Sequence, residues 1–207
     1  MPCVLKVLPL LCVTITTVGA ATVMVEDFEK AELKPKVWVV NVPNENASVD
    51  RLAGNAHDGE SCLKLRHRFL GEGNFQYLGI PHKVRILSPV HRLRFWLKGD
   101  DSKGSYGVQI SDASREAHQF GKNSGQGGII DFKGWKEVVV DLNAGHETWD
   151  GDKNGKLAYP ITGITLTVGQ PTAEGKPLAA EGDLFFDSIS VDSDASVAET
   201  LGSEPGP

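Results

Sequence analysis

"HRLRFWLKGDDSKGSYGVQISD", residues 91–112, is the segment whose pattern decides the fold class. Apolar side chains occupy every second position of its first half: Leu93, Phe95 and Leu97. The positions between them hold Arg94, Trp96 and Lys98. Because side chains of a β-strand point alternately to its two faces, this alternation predicts one face in a core and one polar face with an aromatic residue. The glycines and aspartates of residues 98–105 favour chain reversal, so we expect the two halves to pair as a hairpin.

Similar alternation recurs in short segments along the chain, and no segment shows apolar residues at convincing helical spacing. The predicted strands are 22–28, 37–42, 48–52, 61–69, 74–79, 91–98, 105–112, 118–120, 136–142, 161–168 and 183–192. Trp38 alternates with Val40 and Val42 and is expected in the core. Many short strands must pair into two sheets or close on themselves, so an all-β jelly-roll β-sandwich over residues 22–192 is predicted.

The first 21 residues have the layout of a secretory signal peptide. One lysine precedes an apolar run of about 12 residues, which is shorter than the roughly 20 that cross a bilayer. We therefore expect a secreted or periplasmic protein without a membrane span. At the other end, residues 193–207 gather small, acidic, Pro and Gly residues, a composition typical of a disordered acidic tail or a linker stub.

Charge and cysteine content argue against a nucleic-acid-binding protein and against a disulfide-stabilised fold. The formal net charge of -6 argues against nucleic acid as a partner, because its phosphates would be repelled. Cys3 and Cys12 fall in the predicted signal peptide, so Cys62 stands alone and no internal disulfide is expected. The one basic cluster, Lys64, Arg66 and Arg68 on alternate positions, is either a solvated strand face or a ligand-binding face.

Several segments together carry a family resemblance: "VEDFE", "HDGESCLKLRHRF", "FWLKGD", "GWKEVVVDL", the Trp149 to Pro160 segment and "GDLFFDSISVD". In this order they resemble carbohydrate-binding module family 11 and the related complex I intermediate-associated protein 30 domain, over about residues 24–192. The resemblance implies a galactose-binding-like jelly roll that holds a polysaccharide on a concave sheet without cleaving it. It also implies a structural calcium ion in many members.

Sugar recognition needs flat apolar surfaces for the C–H faces of a pyranose and fixed polar groups for its hydroxyls. The candidate ligand-binding residues are Arg66, Arg68, Arg94, Trp96, Gln109, Gln119 and Tyr77. We expect Arg94, Trp96 and Gln109 to emerge from neighbouring strands onto one water-facing hollow. The alternative is that Trp96 packs under a loop as satellite core.

Asp187 is the first candidate metal ligand. It falls in phase with Phe185 and Ile189, which on strict alternation points a carboxylate at the core. Because an unpaired buried carboxylate costs several kcal/mol, Asp187 should be ion-paired, metal-bound or moved outward by a bulge. The family resemblance favours a calcium ligand, together with Glu26 or Asp27 of the first strand.

A second candidate calcium site lies in "TWDGDKNGKLAYP", residues 148–160, where Asp150, Asp152 and Asn154 occupy alternate positions before Gly155. This is the first half of an EF-hand loop, but the twelfth position holds Ile161 instead of the bidentate glutamate, and no helix flanks it. An EF-hand is therefore excluded. A calcium-braced β-loop and a solvated turn with internal Asx hydrogen bonds both stay open.

The sequence predicts that the protein is not an enzyme. The sequence has no G-x-S-x-G or H-E-x-x-H motif, and none of the six histidines is spaced as a metal pair. The leading hypothesis is a secreted, monomeric carbohydrate-binding module, with a tethered or separate enzyme as a further partner. The alternatives are a protein-interaction or assembly domain of the same fold, and a small jelly-roll glycoside hydrolase or lyase.

Overall fold

The computed structural model describes residues 21–202, so the signal-peptide prediction lies outside the described residues apart from Ala21. The strands are β1 (Ala21–Glu26), β2 (Trp38–Val40), β3 (Ala47–Ala53), β4 (Ser61–Leu70), β5 (Tyr77–Ile86), β6 (Val90–Asp100), β7 (Ser105–Ser111), β8 (Glu116–Phe120), β9 (Gly128–Ile129), β10 (Lys133–Asp141), β11 (Glu147–Asp150), β12 (Ile161–Gly169), β13 (Thr172–Ala173), β14 (Lys176–Pro177) and β15 (Ala179–Ser193). An α-helix, α1, spans Val197–Leu201, and 3-10 turns span Asn44–Asn46 and Lys122–Ser124. The all-β prediction is confirmed.

Two antiparallel sheets form the body of the protein. The first sheet has the order β10-β6-β15-β4-β3, with β1 also paired to β15. The second sheet has the order β11-β8-β7-β12-β5-β2, with β9 paired to β7. The strands β13 and β14 form a separate small hairpin. This arrangement is the predicted β-sandwich.

The core lies between the two sheets and follows the alternation of the sequence. In the first sheet the fully buried side chains include Leu63, Leu65, Leu93, Phe95, Leu97 and Phe186. In the second they include Leu78, Ile80, Val108, Ile110 and Leu166. Residues between these positions point to the outer faces of the sandwich. Burial of these side chains is the main favourable contribution to folding.

The predicted hairpin of residues 91–112 is wrong. β6 pairs with β10 and β15 in the first sheet, whereas β7 pairs with β8, β9 and β12 in the second. The connection between them therefore crosses from one sheet to the other. Alternation shows that each strand has a core face, but two strands facing each other across a core have the same pattern as two strands paired side by side.

The strand β5 extends further than the sequence suggests, because Pro81 does not end it. β2 pairs only with Tyr77–Gly79 of β5, so Pro81 lies where one side of β5 has no partner strand. A proline is tolerated at such a position because no ladder hydrogen bond needs its missing N–H. The short strand β11 was also missed in the sequence.

The predicted disordered tail differs from the structure over residues 193–202. β15 continues to Ser193, and α1 follows with Ser196 and Glu199 in a reciprocal capping box. Thr200 is buried, its hydroxyl donates to Ser193 Oγ at 3.1 Å, and its carbonyl accepts from Leu87 N at 2.7 Å. The capping box stabilises this single turn of helix against the body. Within residues 21–202, no helix has the length and apolar character that a membrane span requires.

A matched pair of phenylalanines tests the assignment of the core. Phe95 is 0% exposed, and Phe75 is 47% exposed. We expect Phe95→Ala to lower the free energy of unfolding by about 3–5 kcal/mol, because the cavity adds to the lost burial. Phe75→Ala should change it by roughly 0.5 kcal/mol or less, as at other exposed sites. Urea unfolding of both variants measures the difference, and equal losses would contradict the assignment.

Buried His82 predicts a loss of stability in acid. Burial lowers the pKa of His82 from 6.5 to about 4. The unfolded chain therefore binds more protons than the folded chain between these values, so the stability contributed by neutral His82 is complete above about pH 6.5 and falls as the pH drops towards 4. The expected loss is at most roughly 3 kcal/mol.

The variant His82→Gln should flatten this part of the pH profile of unfolding free energy. The control is His91→Gln, because the His91 side chain is 45% exposed. An acid loss of equal size in His82→Gln and in the parent protein would show that other groups cause it.

Candidate functional site

The seven predicted ligand-binding residues lie on the outer faces of two different sheets. Tyr77, Gln109 and Gln119 belong to the second sheet, on β5, β7 and β8. Arg66, Arg68, Arg94 and Trp96 belong to the first sheet, on β4 and β6. The predicted shared hollow of Arg94, Trp96 and Gln109 is therefore wrong. The physical reason is the sheet-to-sheet connection between β6 and β7, which sends their outer faces in opposite directions.

Trp96 lies beneath the loop of residues 54–60, which we call the covering loop. Its indole stacks on the ring of His57, with centroids 3.5 Å apart and an interplanar angle of 12°. The edge of Trp135 approaches the same His57 ring at 5.8 Å and 77°. The face of Trp96 that would stack on a sugar is thus occupied by the protein itself. This geometry matches the alternative interpretation of Trp96 as satellite core.

Arg94 is held by two carboxylates on its own sheet. Its guanidinium donates to Asp192 Oδ2 at 2.9 Å and to Glu137 Oε1 at 3.2 Å. Hydrogen bonds from Arg94 hold the pKa of Asp192 below its usual range, against the opposing effect of burial. Asp192 also accepts from the hydroxyl of Thr22 at 3.0 Å. With its donors used in this way, Arg94 is a structural residue of the first sheet.

The other predicted arginines face carboxylates of β15. Arg66 Nε lies 3.6 Å from Asp183 Oδ1, and Arg68 Nε lies 3.7 Å from Glu181 Oε2. These are exposed cross-strand ion pairs, which contribute little to stability. The basic cluster therefore matches the solvated-face interpretation.

The outer face of the second sheet contains a cavity of about 530 Å³, which we call the groove. Its lining includes Phe75, Tyr77, Gln119, Glu147, Trp149 and Thr167. These residues come from or adjoin four strands: β5, β8, β11 and β12. Two of the predicted ligand-binding residues, Tyr77 and Gln119, are among them, and Gln109 lies opposite Gln119 on the same face.

A row of fixed polar groups crosses the floor of the groove. The Tyr77 hydroxyl donates to Gln119 Oε1 at 2.9 Å, and Gln119 Nε2 donates to Thr167 Oγ1 at 3.4 Å. Burial raises the pKa of Tyr77, so its hydroxyl stays protonated and remains a donor at neutral pH. The amide of Gln119 is thereby held in one orientation, with a second N–H still able to donate.

Exposed aromatic rings border this polar row. Phe75 lies against Gly169 at one side, and Trp149 on β11 lies at the other. Phe75 is 47% and Trp149 is 39% exposed, which is unusual for side chains of this size. The strands β11 and β5 are four positions apart in the sheet, or roughly 19 Å at the usual strand spacing. The groove therefore runs across the strands with an aromatic ring near each end.

The predicted core position of Trp38 is wrong. Val39 packs against the core instead, and the Trp38 ring lies on the outer face over Gly79. A Cβ at Gly79 would come within 2.2 Å of the indole, so the glycine makes room for the ring. Trp38 then packs against Tyr77, with ring centroids 5.3 Å apart. It supports the floor of the groove from the β2 side.

Asp187 lies on the outer face of the first sheet, as a bulge requires. The register of β15 against β6 shifts between Asp187 and Ser190, and Ser188 has a φ of 50°. This extra residue returns Ile189 to the core while Asp187 stays opposite Trp96. The structure contains the bulge, which is one of the three alternatives for Asp187.

The carboxylate of Asp187 is nevertheless fully buried, because the covering loop closes over it. Its Oδ2 accepts from the backbone amides of His57 at 2.7 Å and Asp58 at 3.1 Å. Burial raises the pKa of Asp187, while these amides act in the opposite direction. Asp187 therefore anchors the covering loop on the first sheet.

The predicted calcium ligands do not converge on Asp187. Glu26 Oε1 accepts from Phe28 N at 3.0 Å, and Asp27 Oδ1 accepts from Glu29 N at 3.1 Å. Among residues 21–202, these carboxylates and Asp187 do not form a group whose ligand atoms lie within 4.8 Å of one another. As arranged, the three residues do not form one group of ligands, and calcium at Asp187 stays a prediction.

The second predicted calcium loop uses its side chains internally. Asn154 Nδ2 donates to Asp152 Oδ2 at 2.6 Å, and Asn154 Oδ1 accepts from Lys156 N at 2.7 Å. Asp150, Asp152 and Asn154 are all exposed. These contacts match the solvated turn, and calcium at this loop stays a prediction.

Comparison with known proteins finds similar folds among solved structures but no match at the level of sequence. No protein-family profile and no curated protein matches the sequence. A family 11 carbohydrate-binding module from Clostridium thermocellum, solved with a β-1,3-1,4-mixed-linked tetrasaccharide, has a TM-score of 0.57 at 17% identity, covering 82% of this chain and 94% of that chain. An exo-β-agarase has a TM-score of 0.53 at 16% identity, covering 86% of this chain and 26% of the enzyme.

The K1 cleaved adhesin domain of Lys-gingipain from Porphyromonas gingivalis has a TM-score of 0.50 at 13% identity, covering 83% of this chain and 97% of that domain. At such identities these likenesses concern the fold alone. The fold is the jelly-roll β-sandwich of family 11 carbohydrate-binding modules, as the sequence resemblance predicted.

Substitution of Asp187 tests its role as the anchor of the covering loop. Asp187→Ala leaves the amides of His57 and Asp58 without their acceptor, so we expect the free energy of unfolding at pH 7 to fall by about 1–3 kcal/mol. Asp187→Asn keeps one carbonyl acceptor and should lose less. Urea unfolding measures both variants, and equal stability of Asp187→Ala and the parent protein would contradict the role.

The same measurement with excess CaCl2 tests the calcium prediction. Stabilisation of the parent protein by calcium that is lost in Asp187→Ala would support a ligand role for Asp187. An identical effect of CaCl2 on both proteins would count against it.

Proposed function

We propose that this chain is a secreted, non-catalytic carbohydrate-binding module whose groove holds an oligosaccharide or a segment of polysaccharide. The observation that carries the proposal is the groove itself, where exposed Phe75 and Trp149 border the fixed row of Tyr77, Gln119 and Thr167. Secretion rests on the signal-peptide layout of the first 21 residues.

The chemistry of the groove suits a neutral sugar chain. The exposed rings of Phe75 and Trp149 offer apolar surfaces on which the C–H face of a pyranose can stack. Between them, the Gln119 amide is held at a fixed position by Tyr77 and Thr167, and its second N–H can donate to a sugar hydroxyl. Since the polar groups are already ordered by one another, little side-chain entropy is lost on binding.

The extended shape of the groove supports a chain ligand over a single sugar. It crosses the strands of the second sheet, with Trp149 on β11 and Phe75 just before β5, and these two strands are roughly 19 Å apart. A module of the same fold has been solved with a mixed-linked β-1,3-1,4 tetrasaccharide. Mixed-linkage β-glucan is therefore the first polysaccharide to use as a probe.

The acidic residues of the groove support binding without cleavage. Hydrolysis of a glycosidic bond ordinarily uses two carboxyl groups on either side of it. Among the residues of the described chain that line the groove, Glu147 is the one carboxylate. This favours a binding module over the alternative of a small hydrolase.

A protein-interaction domain is the second candidate function, and it would use the first sheet. There the rings of His57, Trp96 and Trp135 form a cluster beside the amine of Lys98. An adhesin domain of a different protein has a similar fold. The two candidates use opposite faces of the sandwich, so one variant on each face, Trp149→Ala on the second sheet and Trp96→Ala on the first, separates them.

Affinity electrophoresis on mixed-linkage β-glucan tests the proposal. Trp149→Ala should weaken retardation about tenfold or more, because loss of a stacking ring costs on the order of 1.4 kcal/mol or more. Gln119→Ala should also weaken it, and Trp96→Ala is the matched control on the opposite face. Retardation should change little with salt, since a neutral sugar releases few counterions.

Three results would contradict the proposal in different ways. Loss of binding in Trp96→Ala but not in Trp149→Ala would move the site to the first sheet. Release of reducing ends from the polysaccharide would show an enzyme. Absence of any bound glycan on an array, together with a stoichiometric protein partner, would favour the interaction domain.

A further inference from the structure

A buried cluster of three potential metal ligands lies at the turn between β7 and β8. Asp112 directly follows β7, and Glu116 and His118 are two residues apart on β8, on the face opposite to Gln119. Their exposed fractions are 1%, 0% and 0%. One ligand atom from each lies within 4.8 Å of the other two. The carbohydrate hypothesis makes no use of these residues.

Glu116 is the member whose contacts are incomplete. Its Oε1 accepts from Gly155 N at 3.2 Å, whereas its buried Oε2 has no hydrogen-bond partner among residues 21–202. A buried carboxylate oxygen without a partner is strongly destabilising. A bound cation would satisfy Oε2.

Asp112 is an ionised carboxylate beside it. Its Oδ1 accepts from Ser114 N and Glu116 N at 2.9 and 3.0 Å, and its Oδ2 accepts from Ala158 N at 2.9 Å. A carboxylate that accepts from three backbone amides is in its acceptor-only, ionised form, which places a negative charge next to Glu116.

The hydrogen bonds of His118 suit a metal ion at its Nε2. A chain runs from the Ala144 carbonyl to His146 Nδ1 at 2.9 Å, from His146 Nε2 to His118 Nδ1 at 3.0 Å, and from His118 Nε2 to Asp112 Oδ2 at 3.2 Å. These three contacts need three N–H protons, but two neutral imidazoles carry only two. An ion at His118 Nε2 removes the excess demand, because each ring then donates its single proton in the direction of Ala144.

We propose that Asp112, Glu116 and His118 bind one divalent first-row transition-metal ion of the zinc class. Two carboxylates and one imidazole are ligands of this class, whereas calcium takes an all-oxygen shell. The 3.2 Å between His118 Nε2 and Asp112 Oδ2 suits two ligands on one ion, since ligand bonds of about 2.1 Å at tetrahedral or octahedral angles give such a separation. His146 is a positioning residue that fixes the tautomer of His118.

The exposed loop at residues 150–155 covers the site. Gly155 donates to Glu116, and a Cβ at Gly151 would come within 2.4 Å of Glu116 N. This loop therefore lies directly against Glu116, with solvent on its other side. The bound ion would tie the turn after β7, the strand β8 and this loop together.

Metal titration of the full chain tests the proposal. Protein stripped with a chelator and dialysed is titrated with ZnCl2 by calorimetry, and with CoCl2 by visible absorption. We expect one equivalent of Zn2+ to bind. Co2+ should give ligand-field bands that Zn2+ abolishes. Absence of stoichiometric binding of either ion to the parent protein would overturn the proposal without any variant.

Substitutions locate the ion. Glu116→Gln and His118→Gln should each weaken Zn2+ binding by about tenfold or more, and circular dichroism checks that each variant is folded. The control is His91→Gln, which removes an exposed histidine paired with Asp194 at 2.8 Å, the kind of surface pair that binds metal adventitiously. Binding lost in His91→Gln and kept in both cluster variants would overturn the assignment.

Calcium separates the ion classes. CaCl2 in large excess should not displace Zn2+ or Co2+, and displacement at equal concentrations would overturn the zinc-class assignment. Because no residue of the cluster lines the groove, the metal titration needs no glycan, and it tests the metal site whether or not the chain binds a carbohydrate.

Discussion

The crossing of the chain from β6 to β7 is the constraint on which the functional surfaces depend. Residues 101–104 are held in this crossing by backbone hydrogen bonds to the segment before β10. Asp101 N donates to Phe132 O at 3.0 Å, Lys103 N donates to Ile130 O at 3.0 Å, and Ile130 N donates to Gly104 O at 2.8 Å. Because β6 and β7 then face each other across the core, the residues between their core positions point away from each other. Everything that the two strands present to solvent is divided between two surfaces.

The two outer surfaces differ in how many of their polar and aromatic side chains are already occupied by contacts within the protein. On the first sheet, Arg94 is bound by carboxylates, and Trp96 is stacked under His57. On the second sheet, the polar groups of Tyr77 and Gln119 order each other without being covered, and Phe75 and Trp149 stay exposed. A surface with ordered polar groups and uncovered rings can bind a ligand without first breaking internal contacts, and this is why we assign the function to the second sheet.

The sequence was sufficient for what depends on a single strand and insufficient for what depends on its partners. Alternation in β6 correctly buried Leu93, Phe95 and Leu97, because burial of a face is a property of each strand alone. Which strands pair, and where the chain crosses between sheets, depend on other strands as well. For this reason Gln109 was wrongly expected on the same sheet as Arg94 and Trp96. The sequence showed that Asp187 breaks the alternation of its strand, and a bulge was correctly among the three explanations considered.

Other parts of the site left weak or misleading signals. Trp38 was expected in the core because it alternates with Val40 and Val42. Either phase of this apolar segment could face inward, however, and the glycine across from Trp38 on β5 is what makes room for its ring on the outer face. Trp149 was not predicted to lie on a strand, because the four residues of β11 are too few to show an alternation of apolar and polar side chains. The buried cluster of Asp112, Glu116 and His118 combines ligands from a turn and a strand, so it follows no spacing that a histidine pair on one element would show.

Trp149 stands on the outermost strand of its sheet, and β11 pairs with β8 alone. Residue 116 of β8 is the direct partner of residue 150, next to that tryptophan. Any event that fixes one strand therefore restricts the other, and thermodynamic linkage makes such a relation reciprocal. An ion that tightened the hold on a glycan by some factor would itself be held more tightly by the same factor once the glycan is in place.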